Sequence, residues 1–106
     1  MKITIEELQE YLFDHYKNGG IDQSLFMKLV EEIGEVAEVL NKKAGRKSVG
    51  QEDLQTQLGN ELADVVHYTI AIAALNGIDM NDIILSKDKD ASIKYVDLLR
   101  SESVFV

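Results

Sequence analysis

Proline is absent from all 106 residues, and one long segment, Leu62 to Leu75, is apolar almost all round apart from Asp64, His67 and Thr69. Without proline nothing removes a backbone donor or clashes with the preceding turn, so long helices can run unbroken. A helix with no wide polar face must be enclosed by neighbours on several sides. Its longest apolar run, Tyr68 to Leu75, is far short of the roughly 20 residues that a bilayer requires. The expectation is therefore an all-α fold: a four-helix, bundle-like subunit whose core is completed by oligomerisation, as a homodimer or homotetramer. A chain of this length has room for one core, so residues 1–106 read as a single domain.

Four helical segments can be placed, and no strand alternation competes with them. The first runs from about Thr4 to Asn18. Thr4 and Glu7 form a capping box, Leu8, Tyr11 and Leu12 follow at helical spacing, and Asn18-Gly19-Gly20 stops it. The second begins at Asp22 as N-cap and extends to about Lys43, with Leu25, Phe26, Leu29, Val30, Ile33, Val36, Ala37 and Leu40 as its apolar stripe. A basic connector holding Arg46 and Lys47 leads to a third helix from about Glu52 to Asn76, ended by Gly77. A fourth starts at Asp79, and its apolar pattern is interrupted at Lys87-Asp88-Lys89-Asp90.

Composition narrows the function. The formal net charge of -8 argues against general nucleic-acid binding, which needs a basic face. The absence of cysteine excludes disulfides and thiolate-bound zinc. Acids interrupt the apolar residues at once in Met1-Lys2-Ile3-Thr4-Ile5-Glu6-Glu7, unlike a signal peptide. A cytoplasmic protein with no membrane partner is expected.

Two acidic pairs fall where water-facing residues should not. Glu32 and Glu35 lie three apart on the second helix, and Glu61 and Asp64 repeat that spacing on the third. Each pair is set among apolar neighbours: Leu29, Ile33 and Val36 around the first, Leu62, Val65 and Val66 around the second. If the two helices form an antiparallel hairpin, four carboxylates meet in a partly buried cleft. Alone they repel, and some take up protons. A hard dication resolves the conflict, and oxygen-only ligands select magnesium, manganese or calcium. Magnesium also binds substrate phosphates, so an acidic protein that holds it can still take a polyphosphate. A single Glu-x-x-Glu on a helix is usually a solvated face; two pairs in apolar stripes on successive helices are harder to explain that way.

The stretch Glu31-Glu32-Ile33-Gly34-Glu35-Val36-Ala37-Glu38, followed by Glu61-Leu62-Ala63-Asp64-Val65, resembles the EExxE…ExxD signature of the MazG-like, all-α nucleotide pyrophosphohydrolases. The resemblance implies hydrolysis of a nucleoside triphosphate between the α and β phosphates, giving a monophosphate and pyrophosphate, in a nucleotide-pool sanitation role. It implies Mg2+ as cofactor, with Mn2+ as a possible substitute, held by Glu32, Glu35, Glu61 and Asp64. Glu31 matches the first acid of the signature and, with Glu35, is the candidate for a further metal or for orienting the attacking water. Glu38 reads as an outer acid or a surface glutamate.

Tyr68, one turn after Asp64, matches a tyrosine that contacts the nucleotide in dCTP pyrophosphatase-like relatives. Lys87 and Lys94 stand for the lysine and arginine of the family's fourth-helix pattern, and Tyr95 for its tyrosine. Ala91 replaces the usual asparagine, which puts a base or sugar contact in doubt. Tyr16 and Phe13 are candidates to stack on a base, although core packing is the commoner fate of such residues. His67, offset from Tyr68 by about 100°, is expected at a helix interface. Two other readings compete. One is a phosphoribosyl-ATP pyrophosphohydrolase of histidine biosynthesis, with the same fold and metal chemistry. The other is a non-catalytic helical interaction protein.

Overall fold

The computed structural model describes residues 1–45, 53–87, 94 and 96–98. Four helices follow one another: α1 (Ile5–Tyr16), α2 (Asp22–Lys43), α3 (Leu54–Leu75) and α4 (Met80–Lys87), and among the described residues there is no strand. Residues 94 and 96–98 are also helical. Arg46, Lys47, Ala91 and Tyr95 lie outside the described residues.

Local chemistry explains most of the boundaries. The Thr4 hydroxyl accepts from the Glu7 backbone N–H at 3.1 Å, and the Glu7 carboxylate accepts from the Thr4 N–H at 2.9 Å. Two orphan donors at the start of α1, those of Thr4 and Glu7, are thereby satisfied. Asp53 caps α3 by accepting from the Thr56 N–H and hydroxyl at 3.1 and 2.6 Å. Asp79 serves α4 in the same way through the Asp82 N–H at 3.1 Å. At the far end of α3, Gly77 adopts φ 64, which lets its N–H reach Ala74 O and the Ile78 N–H reach Ala73 O. That pattern closes a helix with a left-handed residue, where glycine has no Cβ to clash.

The start of α2 departs from the sequence reading. Ile21, not Asp22, occupies the cap position, and it makes no side-chain cap bond. Asp22 lies inside the first turn, where its charge still suits the positive end of the helix dipole. Its carboxylate accepts from the Asn76 amide at 3.1 Å. That bond joins the start of α2 to the end of α3, so the two helices run antiparallel.

α3 is the central element and packs against α2 on one side and α1 on another, while α4 rests against α1. Leu12 of α1, Leu25 of α2, and Ile70 and Ala71 of α3 form the buried core; Ile5, Leu8, Tyr16, Tyr68, Ile72, Leu75 and Met80 pack around it. Val39, Ala73 and Ala74 are the other buried apolar residues described. The gln side chain at position 9, Gln9, ties the α3–α4 turn to α1 by donating to Ile78 O and accepting from the Met80 N–H.

The apolar stripe expected on α2 divides into two surfaces. Leu25 and Val39 are buried and Leu29 and Val36 half-buried, towards α3. Phe26, Val30, Ile33 and Leu40 remain between 44% and 54% exposed, and so do Leu62 and Val66 of α3 at 46% and 50%. At about 100° per residue, the exposed set falls on one flank of α2. Glu31, Glu35 and Glu38 fall on the opposite flank, with Glu32 between them. The hairpin thus has an apolar flank and an acidic one.

Candidate functional site

The antiparallel α2–α3 hairpin brings the two acidic pairs to the same height. Glu32, Glu61 and Asp64 each offer a carboxylate oxygen, all within 4.8 Å of one another. Glu35 joins from the next turn of α2, within hydrogen-bonding reach of Glu61. Glu32 and Glu61 are half-buried, whereas Glu35 and Asp64 are exposed. The site is therefore a groove with two enclosed acids at its floor and two at its lip.

Its electrostatics are unresolved by the protein alone. Oε2 of Glu32 and Oε2 of Glu61 are buried, and no donor among the described residues reaches either one. Buried acceptors without a partner are rare and costly. With no cation, a proton relieves the repulsion. Glu61 is pushed up to about 7, first by its hydrogen bond with Glu35, then by desolvation and by Glu32. Glu32 is also raised, first by desolvation and then by the charges of Glu35 and Asp64, although its hydrogen bond with Glu61 works the other way. A dication would satisfy the orphaned oxygens and remove the need for that proton. The donor set is all carboxylate, which fits a hard ion.

Around the cluster the expected residues separate. Glu31 is exposed and 3.4 Å from the Lys28 ammonium. Tyr68 is half-buried, one turn beyond Asp64, with its ring edge-on to His67 at 4.9 Å. Tyr16 packs against the core and also lines an open cleft of about 290 Å³ together with Tyr68, Gly19, Gly20, Ile21, Ser24, Leu25 and Lys28. Lys28 is one turn before Glu32 and Tyr68 one turn after Asp64, so in the antiparallel hairpin this cleft adjoins the carboxylate groove. Phe13 lies elsewhere, in a separate cleft with Glu6, Gln9, Glu10 and Asp79. Lys87 and Lys94 are exposed, and neither forms an ion pair among the described residues.

Lys28 was not singled out in the sequence. Its signal was its place four residues before Glu32, which puts it on the same helical face. His67 is at a helix interface as expected, and it is more than packing. Its Nε2 lies 2.7 Å from the Tyr16 hydroxyl across the α1–α3 contact.

A known family model, the MazG nucleotide pyrophosphohydrolase domain, matches residues 22–90. That span takes in α2, α3, α4 and all four clustered acids, and covers more than half of the chain. The chain belongs to this family. No curated protein matches it closely enough to add a more specific assignment. As a MazG domain, the protein is a nucleotide pyrophosphohydrolase in general activity, and its acidic groove is a fitting place for the metal ion on which such enzymes typically depend. No helix among the described residues is long and apolar enough to cross a membrane.

Proposed function

We propose that this MazG domain hydrolyses nucleoside or deoxynucleoside triphosphates between the α and β phosphates, releasing pyrophosphate, and so clears unwanted nucleotides from the cytoplasmic pool. The observation that carries the reading is the pair of buried oxygens on Glu32 and Glu61 that no donor among the described residues reaches, which converge with Asp64 and Glu35 in the α2–α3 groove. Glu32, Glu35, Glu61 and Asp64 would hold magnesium, or manganese in its place. Such an ion supplies positive charge against the triphosphate and lowers the pKa of coordinated water.

The protein's own groups do the rest. Glu31 and Glu35, both exposed, are assigned to orient the water that attacks the α phosphorus as pyrophosphate leaves. The adjoining cleft takes the nucleoside half. Tyr68 offers a hydroxyl with no hydrogen-bond partner among the described residues, and Tyr16 offers a ring. Lys28, at the border of cleft and groove, is suited to a phosphate oxygen. Lys87 and Lys94 are assigned to the leaving group from their family positions.

The assembly is proposed to be a homodimer or a dimer of dimers. Phe26, Val30, Ile33, Ala37 and Leu40 recur at alternating spacings of four and three, the seam pattern of paired helices. With Leu62 and Val66 they form a flank that one protomer leaves open. A Cβ added at Gly34 or Gly59 would meet no atom of the described residues within 4 Å. Each glycine costs its helix about 1 kcal/mol, and no described residue of the protomer uses the space. A second copy laid along this flank would cover it while leaving the acidic groove open.

The test is a panel of ribo- and deoxynucleoside triphosphates, with phosphoribosyl-ATP included, assayed with magnesium for pyrophosphate against orthophosphate. Pyrophosphate release that disappears in Glu35→Gln and Asp64→Asn, with helicity retained, is the expected result. Orthophosphate as product, or full activity in both variants, would overturn it. Turnover of phosphoribosyl-ATP alone would move the protein to histidine synthesis.

A further inference from the structure

The wall of the cleft beside the carboxylate groove is organised by a single residue. Tyr16 is the last residue of α1, a position where helices fray unless something holds them. Here three things hold it. Its backbone oxygen accepts from the Gly19 and Gly20 N–H groups at 3.1 and 2.7 Å, which shapes the turn that forms the cleft rim. Its side chain packs on the core. Its hydroxyl meets His67 Nε2 at 2.7 Å, with the two rings edge-to-face at 5.7 Å.

The rim is packed against the main chain and Cβ of that residue. A Cβ on Gly20 would lie 2.8 Å from Tyr16 O, 2.9 Å from Tyr16 Cβ and 2.7 Å from Leu75 Cδ1. Glycine allows the turn to press directly on the tyrosine, so a shift of Tyr16 displaces the rim with it. Burial, ahead of the neighbouring Tyr68 and Tyr11, holds the Tyr16 hydroxyl above its ordinary range. It stays a phenol, within hydrogen-bond distance of the imidazole. His67 does not line the cleft itself; it lies behind it.

We propose that His67 is a positioning residue, which fixes the ring of Tyr16 as a preorganised wall of the nucleoside cleft and thereby sets nucleoside affinity without touching the ligand. The inference rests on the reading of that cleft as the nucleoside subsite. A wall already ordered before binding removes an entropy cost that a free side chain would carry. The hydrogen bond is the only polar tie between α1 and α3 side chains at this level among the described residues. Loss of the hydroxyl removes that tie while leaving the carboxylates and Tyr68 in place, whereas loss of His67 also removes its ring contact with Tyr68.

The experiment measures binding of nucleoside monophosphates by calorimetry with magnesium present; a monophosphate has no phosphoric anhydride to cut, so the measurement does not depend on turnover. Tyr16→Phe removes one oxygen, and His67→Leu removes the partner. Each should weaken binding about three- to tenfold, the range of one net hydrogen bond. The double variant should be no weaker than the worse single one, because both act on one contact. His67→Gln, which can still bond the hydroxyl, should restore at least half of the loss on a logarithmic scale. In turnover assays KM should rise by the same factor as Kd, with kcat falling by less.

Additive losses, unchanged affinity in Tyr16→Phe, or no rescue by glutamine would each overturn the role of His67. A Tyr68→Ala variant that binds the monophosphates as tightly as the parent would instead remove the nucleoside cleft itself. The two failures are thus distinguishable.

Discussion

Binding of magnesium should release a proton whose amount depends on pH in a way fixed by the groove. Glu61 is held up to about 7 by Glu35, by desolvation and by Glu32. About nine-tenths of that proton is present at about pH 6, and about one-tenth at about pH 8. A carboxylate must be deprotonated to hold a metal, so binding should release about 0.9 proton per site at the lower pH and about 0.1 at the higher. Because only the deprotonated fraction binds, apparent affinity should be about tenfold weaker at about pH 6 than at about pH 8. The proton belongs to the coupled cluster rather than to one residue, and the raised Glu32 adds to the effect in the same direction. Calorimetric titration of Mg2+ in two buffers of different ionisation enthalpy measures the release directly. In Glu61→Gln, binding should be weaker and the release should fall to what Glu32 alone supplies. A release below about 0.2 proton at about pH 6, or the same release from Glu61→Gln, would refute the account of four acids sharing one enclosed space.

The same groove should govern stability. Glu61 titrates higher in the folded chain than its ordinary 4.5, so the folded state binds more protons between 4.5 and about 7. The metal-free protein should therefore lose Tm as pH rises through that window, and saturating Mg2+ above it should restore the loss. A Tm that rises across the window without metal would contradict this. Leu12→Ala, at a fully buried position, should cost about 3 kcal/mol in chemical denaturation; a cost below about 1 kcal/mol would mean that α1 is not docked on α3 as described. Ile33→Asp, on the open apolar flank, should shift the protein towards monomer in sedimentation, whereas an unchanged mass would place the dimer contact elsewhere.

Much of this was legible in the sequence, for identifiable reasons. The Thr4–Glu7 box and the Gly77 stop depend only on residues a few places apart, and both were found where expected. Glu32, Glu61 and Asp64 were readable as a cluster because helical periodicity set each of them beside apolar residues. Ile21 as the cap of α2 was not readable, because Asp22 has the better capping chemistry and is drawn instead to Asn76, far away in the chain. The Tyr16–His67 bond needed the register of α1 on α3, which no local pattern encodes. The division of the α2 stripe was hidden for a different reason. Residues that face α3 and residues that face away are equally apolar, so periodicity alone shows one broad band.

Because its ligands are shared between two helices, the groove also reports how far one helix has slid along the other. α3 meets its neighbours partly through Ala71, Ala73 and Ala74, small side chains that offer little resistance to sliding. A slip of one turn, about 5.4 Å, would carry Glu32 away from Glu61 and leave no place for a dication. A bound ion would therefore act as a pin through the hairpin, selecting one alignment of α2 against α3 from several that greasy contacts alone would tolerate.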